Sequence, residues 1–174
     1  TIFFKESERK TTVKERFWSA GHRLLGWDRL DNHPITKKTE RQIVQFVKRR
    51  AASFDKIIVS DYRHGLLTKS LASGLVALAK KNKKPMYIDS QVAHGDGNHL
   101  WYAGADLFCL NVKEAISIDP HFDAVRLKPS LKTLARKLKT RAVILKLGER
   151  GSLGFLRGLY IASSALRVKA VDTT

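Results

Sequence analysis

The pattern most suggestive of chemistry is a pair of oxygen-bearing side chains three positions apart, Asn111 and Glu114. They follow a short apolar run and begin a segment of helical spacing, so both side chains are expected on one face of the first turn. An oxygen-rich pair that leaves room for several waters suits Mg²⁺. The same residues equally suit an N-cap followed by an acidic first turn, which needs no ligand. The residues alone leave both interpretations open.

A second candidate is the loop that contains Gly148 and Gly151, with Glu149 between them and Lys146 just before. Glycines lack side chains, so the backbone of such a loop can approach a nucleotide closely. A four-residue turn between two strands needs the same glycines. The loop is therefore a candidate nucleotide contact, with an ordinary turn as the alternative.

Charged side chains at other positions suggest anion or metal binding. Lys14 and Arg16 alternate on one face of a predicted strand, where a cation pair could bind phosphate, although lysine on an exposed strand also protects against aggregation. A polar loop carries four side chains that could in principle bind a transition metal. They are Asp89, His94, Asp96 and His99. Surface loop composition explains these four more simply, and we assign them no metal role.

The elements that would position these residues alternate in type along the chain. Alternating apolar residues on either side of a glycine turn predict a hairpin over 11–28. From Thr36, a plausible N-cap, the spacing becomes helical and predicts a helix over 37–52. Further strands are predicted over 56–60, 85–89, 106–110 and 142–145, further helices over 71–80, 111–118 and 127–139, a polar loop over 90–98, and three antiparallel strands over 152–156, 159–162 and 166–170.

Apolar strands alternating with amphipathic helices indicate an α/β fold, in which a parallel sheet is covered by helices on both faces. Residues 1–174 are predicted to form one domain, with the hairpin over 11–28 and the α/β core over 36–174. Ligands of such sheets bind beyond the carboxyl ends of the strands. Asp61, Asn111 and Lys146 stand at those positions.

Composition limits the class of protein and of partner. The 33 Lys and Arg residues against 16 Asp and Glu give a net charge of +17, which favours anionic partners. A single cysteine excludes an internal disulfide or a multi-thiolate zinc site and favours a reducing compartment, the cytoplasm. No stretch approaches the roughly 20 apolar residues of a membrane span. Basic runs at 48–50, 80–84 and 136–139 keep a non-catalytic nucleic-acid-binding module open as the alternative function.

Five segments together resemble the ribokinase-like, or PfkB, family of carbohydrate kinases, most of all its heptose 7-phosphate kinases. They are residues 11–16, 60–67, 105–115, 148–151 and 171–174. The resemblance implies a parallel sheet flanked by helices, with a small antiparallel hairpin near the N-terminus. It also implies ATP and Mg²⁺ as cofactors, and transfer of the γ-phosphate to a hydroxyl of a sugar phosphate.

The resemblance further implies roles for individual residues. Asn111 and Glu114 would order Mg²⁺ and its waters. The nucleotide would contact Lys146, Gly148, Glu149, Gly151, Asp172, Thr173 and Thr174, and the sugar phosphate would contact Lys14, Arg16, Asp61 and Arg63. Members of the family often pair through the small sheet, which implies a homodimer through the hairpin.

The resemblance also bears on catalysis. In the family, the last segment continues into a Gly-Ala-Gly-Asp run that supplies phosphate-binding amides and the catalytic base. The sequence ends at Thr174, before such a run. We therefore expect an incomplete domain, without turnover and with no catalytic base among residues 1–174.

Overall fold

The N-terminal part of the chain forms the predicted hairpin in the computed structural model, which describes residues 1–93 and 95–166. Strand β1 (Val13–Ser19) pairs antiparallel with β2 (His22–Arg29). Ala20 and Gly21 connect them, both with positive φ, as two-residue hairpin turns require. The prediction of a hairpin over 11–28 is confirmed.

A six-stranded mixed sheet forms the centre of the molecule. Its strands are β3 (Ile57–Asp61), β4 (Met86–Ser90), β7 (Leu107–Asn111), β8 (Ala142–Lys146), β9 (Ser152–Leu156) and β10 (Leu159–Ser163). They lie in the order β10-β9-β8-β7-β4-β3; β3, β4, β7 and β8 are parallel, whereas β9 and β10 are antiparallel. The segment predicted as a polar loop instead contains a minimal hairpin, β5 (Val92–Ala93) with β6 (Asp96–Gly97).

Four helices connect these strands within the described residues. They are α1 (Lys37–Arg49), α2 (Lys69–Lys81), α3 (Val112–Ile118) and α4 (Leu127–Lys137). Threonine side chains cap the N-termini of α1 and α2: the Thr36 hydroxyl accepts from the Thr39 amide, and the Thr68 hydroxyl accepts from the Leu71 amide. Helix α1 ends earlier than predicted, and a 3₁₀ turn over Ala51–Ser53 follows it. No helix of the described residues combines the length and apolarity needed to span a membrane.

Only one face of the sheet is buried in the part of the chain that the structure describes. Buried and less buried side chains alternate along β4, β7 and β8, and those on the buried face form one core with α2, α3 and α4. On the opposite face, Ile58 is 69% exposed. The prediction of helices on both faces is wrong for these residues. The reason is topological: right-handed crossovers between strands added in one direction place every helix on the same side.

Several predictions fall on positions that the structure does not describe. The strand over 166–170 lies outside the described residues except for its first residue, and so do Asp172, Thr173 and Thr174. His94 lies outside them as well.

Candidate functional site

Polar residues from neighbouring parallel strands meet at the carboxyl edge of the sheet. Asn111 ends β7 and is the register partner of Lys146, which ends β8. The Lys146 ammonium reaches across β7 to Asp89 on β4, with 3.2 Å between Nζ and Oδ1. Glu114 lies one helical turn beyond Asn111. The structure thus brings Asn111, Glu114 and Lys146 to one edge.

Asn111 and Glu114 form a capping box at the start of α3. The Glu114 amide donates to Asn111 Oδ1 at 2.9 Å, and Glu114 Oε2 accepts from the Asn111 amide at 2.7 Å. Asn111 Nδ2 donates to the other carboxylate oxygen at 2.8 Å. The cap alternative raised by the sequence is therefore real. It also fixes the carboxylate rigidly at the end of β7.

The carboxylate of Glu114 is held in a setting where a cation would be favourable. Glu114 is only 4% exposed, and burial raises its pKa; the Asn111 amide and the Lys146 charge oppose that shift. Each oxygen accepts one N–H, which leaves lone pairs for a further partner.

These donors fit Mg²⁺ held mainly by water and phosphate. The described residues contain no cluster of three or more His, Cys, Asp or Glu side chains able to hold a metal. Asn111 and Glu114 therefore suit an ion that keeps most of its waters and takes nucleotide phosphates as further ligands.

The loop after β8 is a tight turn at the same edge. Gly148, Glu149 and Arg150 form a 3₁₀ turn, and the Leu147 amide donates to the Gly151 carbonyl at 2.8 Å. Glu149 is exposed, whereas Gly151 adopts φ 82° and ψ −131°, a region that is nearly restricted to glycine. The turn needs Gly151 whether or not a nucleotide binds there.

The two glycines of this loop are expected to differ in their tolerance of alanine. A Cβ on Gly151 would lie 2.0 Å from the Ser163 carbonyl oxygen, but one on Gly148 would meet no atom within 4 Å. Gly148→Ala should lower the free energy of unfolding by about 1 kcal/mol, through its positive φ alone. Gly151→Ala should cost at least about 3 kcal/mol, since backbone strain and overpacking add. Urea denaturation checks this, and equal losses would contradict it.

Asp61, a predicted substrate contact, lies at the centre of a buried polar network. Its Oδ2 accepts from Asn98 Nδ2 at 2.6 Å and from the Tyr102 hydroxyl at 2.9 Å, while Oδ1 accepts from the Arg63 amide at 2.8 Å. The Ser90 hydroxyl also lies near Oδ2, at 3.3 Å, but is closer to Asn98 Oδ1, at 2.6 Å. The carboxylate therefore organises the end of β3, and its contact with substrate stays a prediction.

The sequence analysis missed most of this network. Ser90, Asn98 and Tyr102 belong to or follow a segment that composition marks as a surface loop, yet all three are buried. Their only sequence signal is the polar loop after a strand. That signal does not identify Asp61, 29 to 41 residues earlier in the chain, as their partner. Burial raises the pKa of Tyr102 far above its usual value, and the nearby Asp61 charge adds to the shift.

Of the four side chains considered for a metal, the three that the structure describes, Asp89, Asp96 and His99, form no metal-binding cluster. Asp89 pairs with Lys146, the Asp96 carbonyl accepts from Arg63 at 3.1 Å, and His99 is buried. His99 Nε2 lies 2.8 Å from the Ser90 carbonyl oxygen, so it carries the proton and donates. The other ring nitrogen, Nδ1, is buried and has no hydrogen-bond partner among the described residues. Burial lowers the pKa of His99.

Acid is therefore expected to destabilise the fold through His99. Below a pH of about 6.5 the unfolded chain binds a proton that the folded chain excludes, because the pKa is lowered only in the folded state. The free energy of unfolding should fall by up to about 1.4 kcal/mol per pH unit from this group, until the folded-state pKa is reached. Urea denaturation at pH 7.5 and 5.5 measures the change. His99→Gln should reduce it and the exposed-site control His22→Gln should not; equal changes in all three proteins would contradict the assignment.

Arg63, the other predicted substrate contact after β3, borders a cavity of about 770 Å³. Its guanidinium lies over the Trp101 ring, 5.5 Å from the centroid. Lys37 and Lys69 also line the cavity, near the starts of α1 and α2. Glu40 also lines the cavity and pairs with Lys37 at 2.9 Å, so the positive charge left for an anionic group comes from Arg63 and Lys69.

Lys14 and Arg16 lie on one face of β1, as their spacing predicts. Both pair with Asp28 on β2; Lys14 Nζ is 3.6 Å from Asp28 Oδ2. They therefore form a charged cluster within the hairpin. The base of the hairpin is tied to the loop after β3, since Arg9 donates to the carbonyls of Asp31 and His64.

Comparison with known proteins gives relatives in sequence and in structure. The chain is 30% identical to the bifunctional protein HldE of Syntrophotalea carbinolica over 157 residues, 87% of this chain and 31% of the relative. It is also 30% identical to HldE of Geobacter metallireducens over 158 residues, 88% of this chain and 31% of the relative. The chain thus spans about a third of the length of these relatives. No protein-family model matches it.

Solved structures similar to the chain include a ribokinase and a phosphofructokinase. Ribokinase from Giardia lamblia gives a TM-score of 0.68 at 15% identity, over 96% of this chain and 51% of that one. Phosphofructokinase-2 from Escherichia coli in complex with fructose-6-phosphate gives a TM-score of 0.63 at 15% identity, over 83% of this chain and 48% of that one. The predicted hairpin and helix-flanked sheet are present here too. The chain is therefore a homologue of the HldE proteins over about a third of their length and has the ribokinase-like (PfkB) fold of sugar kinases.

Proposed function

We propose that the chain supplies the nucleotide and magnesium side of an ATP-dependent kinase acting on a sugar phosphate similar to heptose 7-phosphate. The observation that carries this proposal is the meeting of Asn111, Glu114 and Lys146 at the carboxyl edge, next to the loop over 148–151. Ligands of α/β sheets bind at that edge. The sequence similarity to HldE and the ribokinase-like fold support the same function.

Phosphoryl transfer depends mainly on positioning and on charge stabilisation. In the proposal, Glu114 and Asn111 hold the waters of the metal, Lys146 faces the phosphates, and the backbone over 148–151 lies against the nucleotide. When bound, Mg²⁺ neutralises charge that develops on the transferring phosphoryl group. The capping box matters because it fixes the carboxylate before ligand binds.

On the sugar side, we assign the phosphate of the substrate to cations near the end of β3. Arg63 lines the adjoining cavity with Lys37 and Lys69, and its stacking on Trp101 orients the guanidinium. Lys14 and Arg16 of the hairpin would also bind this phosphate, which would replace Asp28 as their partner. Asp61, which organises the loop after β3, keeps its predicted contact with the sugar phosphate in this proposal.

The hairpin is also the proposed contact between two copies of the chain. Cross-strand register places Val13, Phe17, Leu25 and Trp27 on one face, and all four are exposed in the single chain. A second hairpin would cover these four apolar side chains, which share their face with the Glu15–Arg29 ion pair. The homodimer is part of the proposal, as is a cytoplasmic location.

Binding of a fluorescent ATP analogue, with and without Mg²⁺, tests the function directly. We expect binding that Mg²⁺ strengthens and that unlabelled ATP reverses. Binding does not require the transfer step, so the measurement applies to residues 1–174 as they stand. Absence of binding, or binding indifferent to Mg²⁺, would contradict the proposal.

A further inference from the structure

The lysine and arginine runs, which the kinase function does not use, come together at the amino edge of the sheet, opposite the candidate site. Helices α1, α2 and α4 end there, because each leads back to the start of a parallel strand. We call the segments 48–50, 80–84 and 136–141, together with Arg157, the basic edge. Its three segments contain eleven of the 33 Lys and Arg residues and none of the 16 Asp and Glu residues.

Contacts at the ends of α1 and α2 show that their basic segments are neighbours. The Lys84 ammonium lies 5.8 Å from the ring centroid of Phe54, a residue in the connection between α1 and β3. The Ile57 amide at the start of β3 donates to the Pro85 carbonyl, next to Lys84, at 2.8 Å. The first two segments therefore form one surface.

The same surface continues to the end of α4 and to Arg157. Lys80 Nζ lies so close to Gly104 that a Cβ there would be 2.2 Å from it, and the Gly104 amide donates to the Leu138 carbonyl at 2.8 Å. The Arg157 amide in turn donates to the Arg141 carbonyl at 3.0 Å. The basic edge is thus one continuous strip across the sheet.

Two ordinary explanations account for only part of this charge. Cations in the last turn of a helix are stabilised by its dipole, but the effect falls off beyond that turn and does not extend to Lys83, Lys84 or Lys139. Ion pairs explain little more. Within the described ranges, only Lys137 and Arg141 of the basic edge form them, with Asp119 and Asp106. So much like charge in one strip costs stability unless an anionic partner neutralises it.

Aromatic rings between the cations indicate which polyanion fits. Arg50 lies over Phe46 at 5.6 Å and Lys84 over Phe54 at 5.8 Å. A groove of about 420 Å³ is lined by Tyr87 together with Arg141, Arg157 and Asp106, the carboxylate that pairs with Arg141. Cations that alternate with ring faces suit single-stranded nucleic acid, whose phosphates and bases both need partners.

The composition of the same segments argues against a membrane surface as the partner. Membrane-binding surfaces combine cations with exposed apolar side chains. The only apolar residue in the three segments is Leu138, which is buried. We propose that the basic edge binds single-stranded nucleic acid, independently of the kinase site.

The test compares two triple variants that lose the same charge. Arg49→Gln/Lys81→Gln/Arg136→Gln removes one exposed cation from each segment of the basic edge. Lys10→Gln/Arg23→Gln/Lys132→Gln removes three exposed cations elsewhere. Binding of a fluorescein-labelled 20-nucleotide oligouridylate is followed by anisotropy from about 50 to 200 mM salt.

The edge variant should bind at least about tenfold more weakly at about 100 mM salt, and the slope of log affinity against log salt concentration should be smaller by about 2. The affinity of the control variant should change by less than about threefold. Tyr87→Leu should weaken binding of the single strand about fivefold and leave duplex binding unchanged. If both triple variants lost the same affinity for the oligonucleotide, net charge alone would explain the binding and the proposal would be overturned. So would preferred binding to a duplex, or to vesicles of phosphatidylserine and phosphatidylcholine. Retained magnesium-dependent ATP binding by the edge variant separates this result from the kinase proposal.

Discussion

Asp61→Ala is expected to lower the free energy of unfolding by at least about 3 kcal/mol, because buried donors lose their acceptor and cannot reach water. Asn98 Nδ2 and the Tyr102 hydroxyl both donate to Asp61 Oδ2, and the Arg63 amide donates to Oδ1. Asp61 itself is 5% exposed. Urea denaturation at neutral pH, with the unfolding followed by tryptophan fluorescence, measures the loss.

Two further variants show whether the loss comes from the network. Asp55→Ala removes an exposed carboxylate six residues before the end of β3 and should change stability by less than about 0.5 kcal/mol. Tyr102→Phe removes one donor, so Asp61→Ala should cost less in that background than in the wild type. If Asp61→Ala cost no more than Asp55→Ala, or if its cost were unaffected by Tyr102→Phe, the network would not stabilise the fold as argued.

The parts of the fold that local pattern specifies could be predicted from the sequence. Thr36 before a charged turn marks the start of α1, and alternating residues on either side of Ala20 and Gly21 define the hairpin. Short β-branched or apolar runs locate the parallel strands to within about one residue. Each of these signals acts over a few residues, so the chain carries it locally.

What the sequence could not show depends on distant partners. Asn98 and His99 are polar and look like loop residues, but Asp61 and the Ser90 carbonyl give them buried partners. The open face of the sheet could not be predicted either, since continuous apolar runs such as Ile57–Val59 are the pattern of strands covered on both faces. Ile58 has a β-branched side chain typical of a core strand, and it is largely exposed.

The candidate site could be predicted from the sequence only in part. The spacing of Asn111 and Glu114 predicts a shared helix start, and the structure shows that start as a reciprocal cap. The proximity of Lys146 depends on the order of strands β7 and β8, which spacing does not give. The capping and magnesium interpretations are also compatible, because a carboxylate fixed by two N–H groups keeps lone pairs for a cation.

Glu114→Gln separates those two roles of the carboxylate. Glutamine keeps an acceptor for the Asn111 backbone amide and loses only the one for Asn111 Nδ2, so the free energy of unfolding should fall by about 1 kcal/mol. The variant loses the negative charge next to Lys146, and with it the attraction for a divalent cation. We expect the strengthening of ATP binding by Mg²⁺ to fall at least about tenfold, which corresponds to about 1.4 kcal/mol of coupling between metal and nucleotide.

The matched control is Glu8→Gln, which removes an exposed carboxylate far along the chain from α3. It should leave both stability and the effect of Mg²⁺ unchanged. A large loss of stability in Glu114→Gln with normal magnesium dependence would identify Glu114 as a cap alone. Loss of magnesium dependence with a loss of stability no greater than about 1 kcal/mol would instead assign the carboxylate to the metal, because the hydrogen bond to the Asn111 amide has then been preserved.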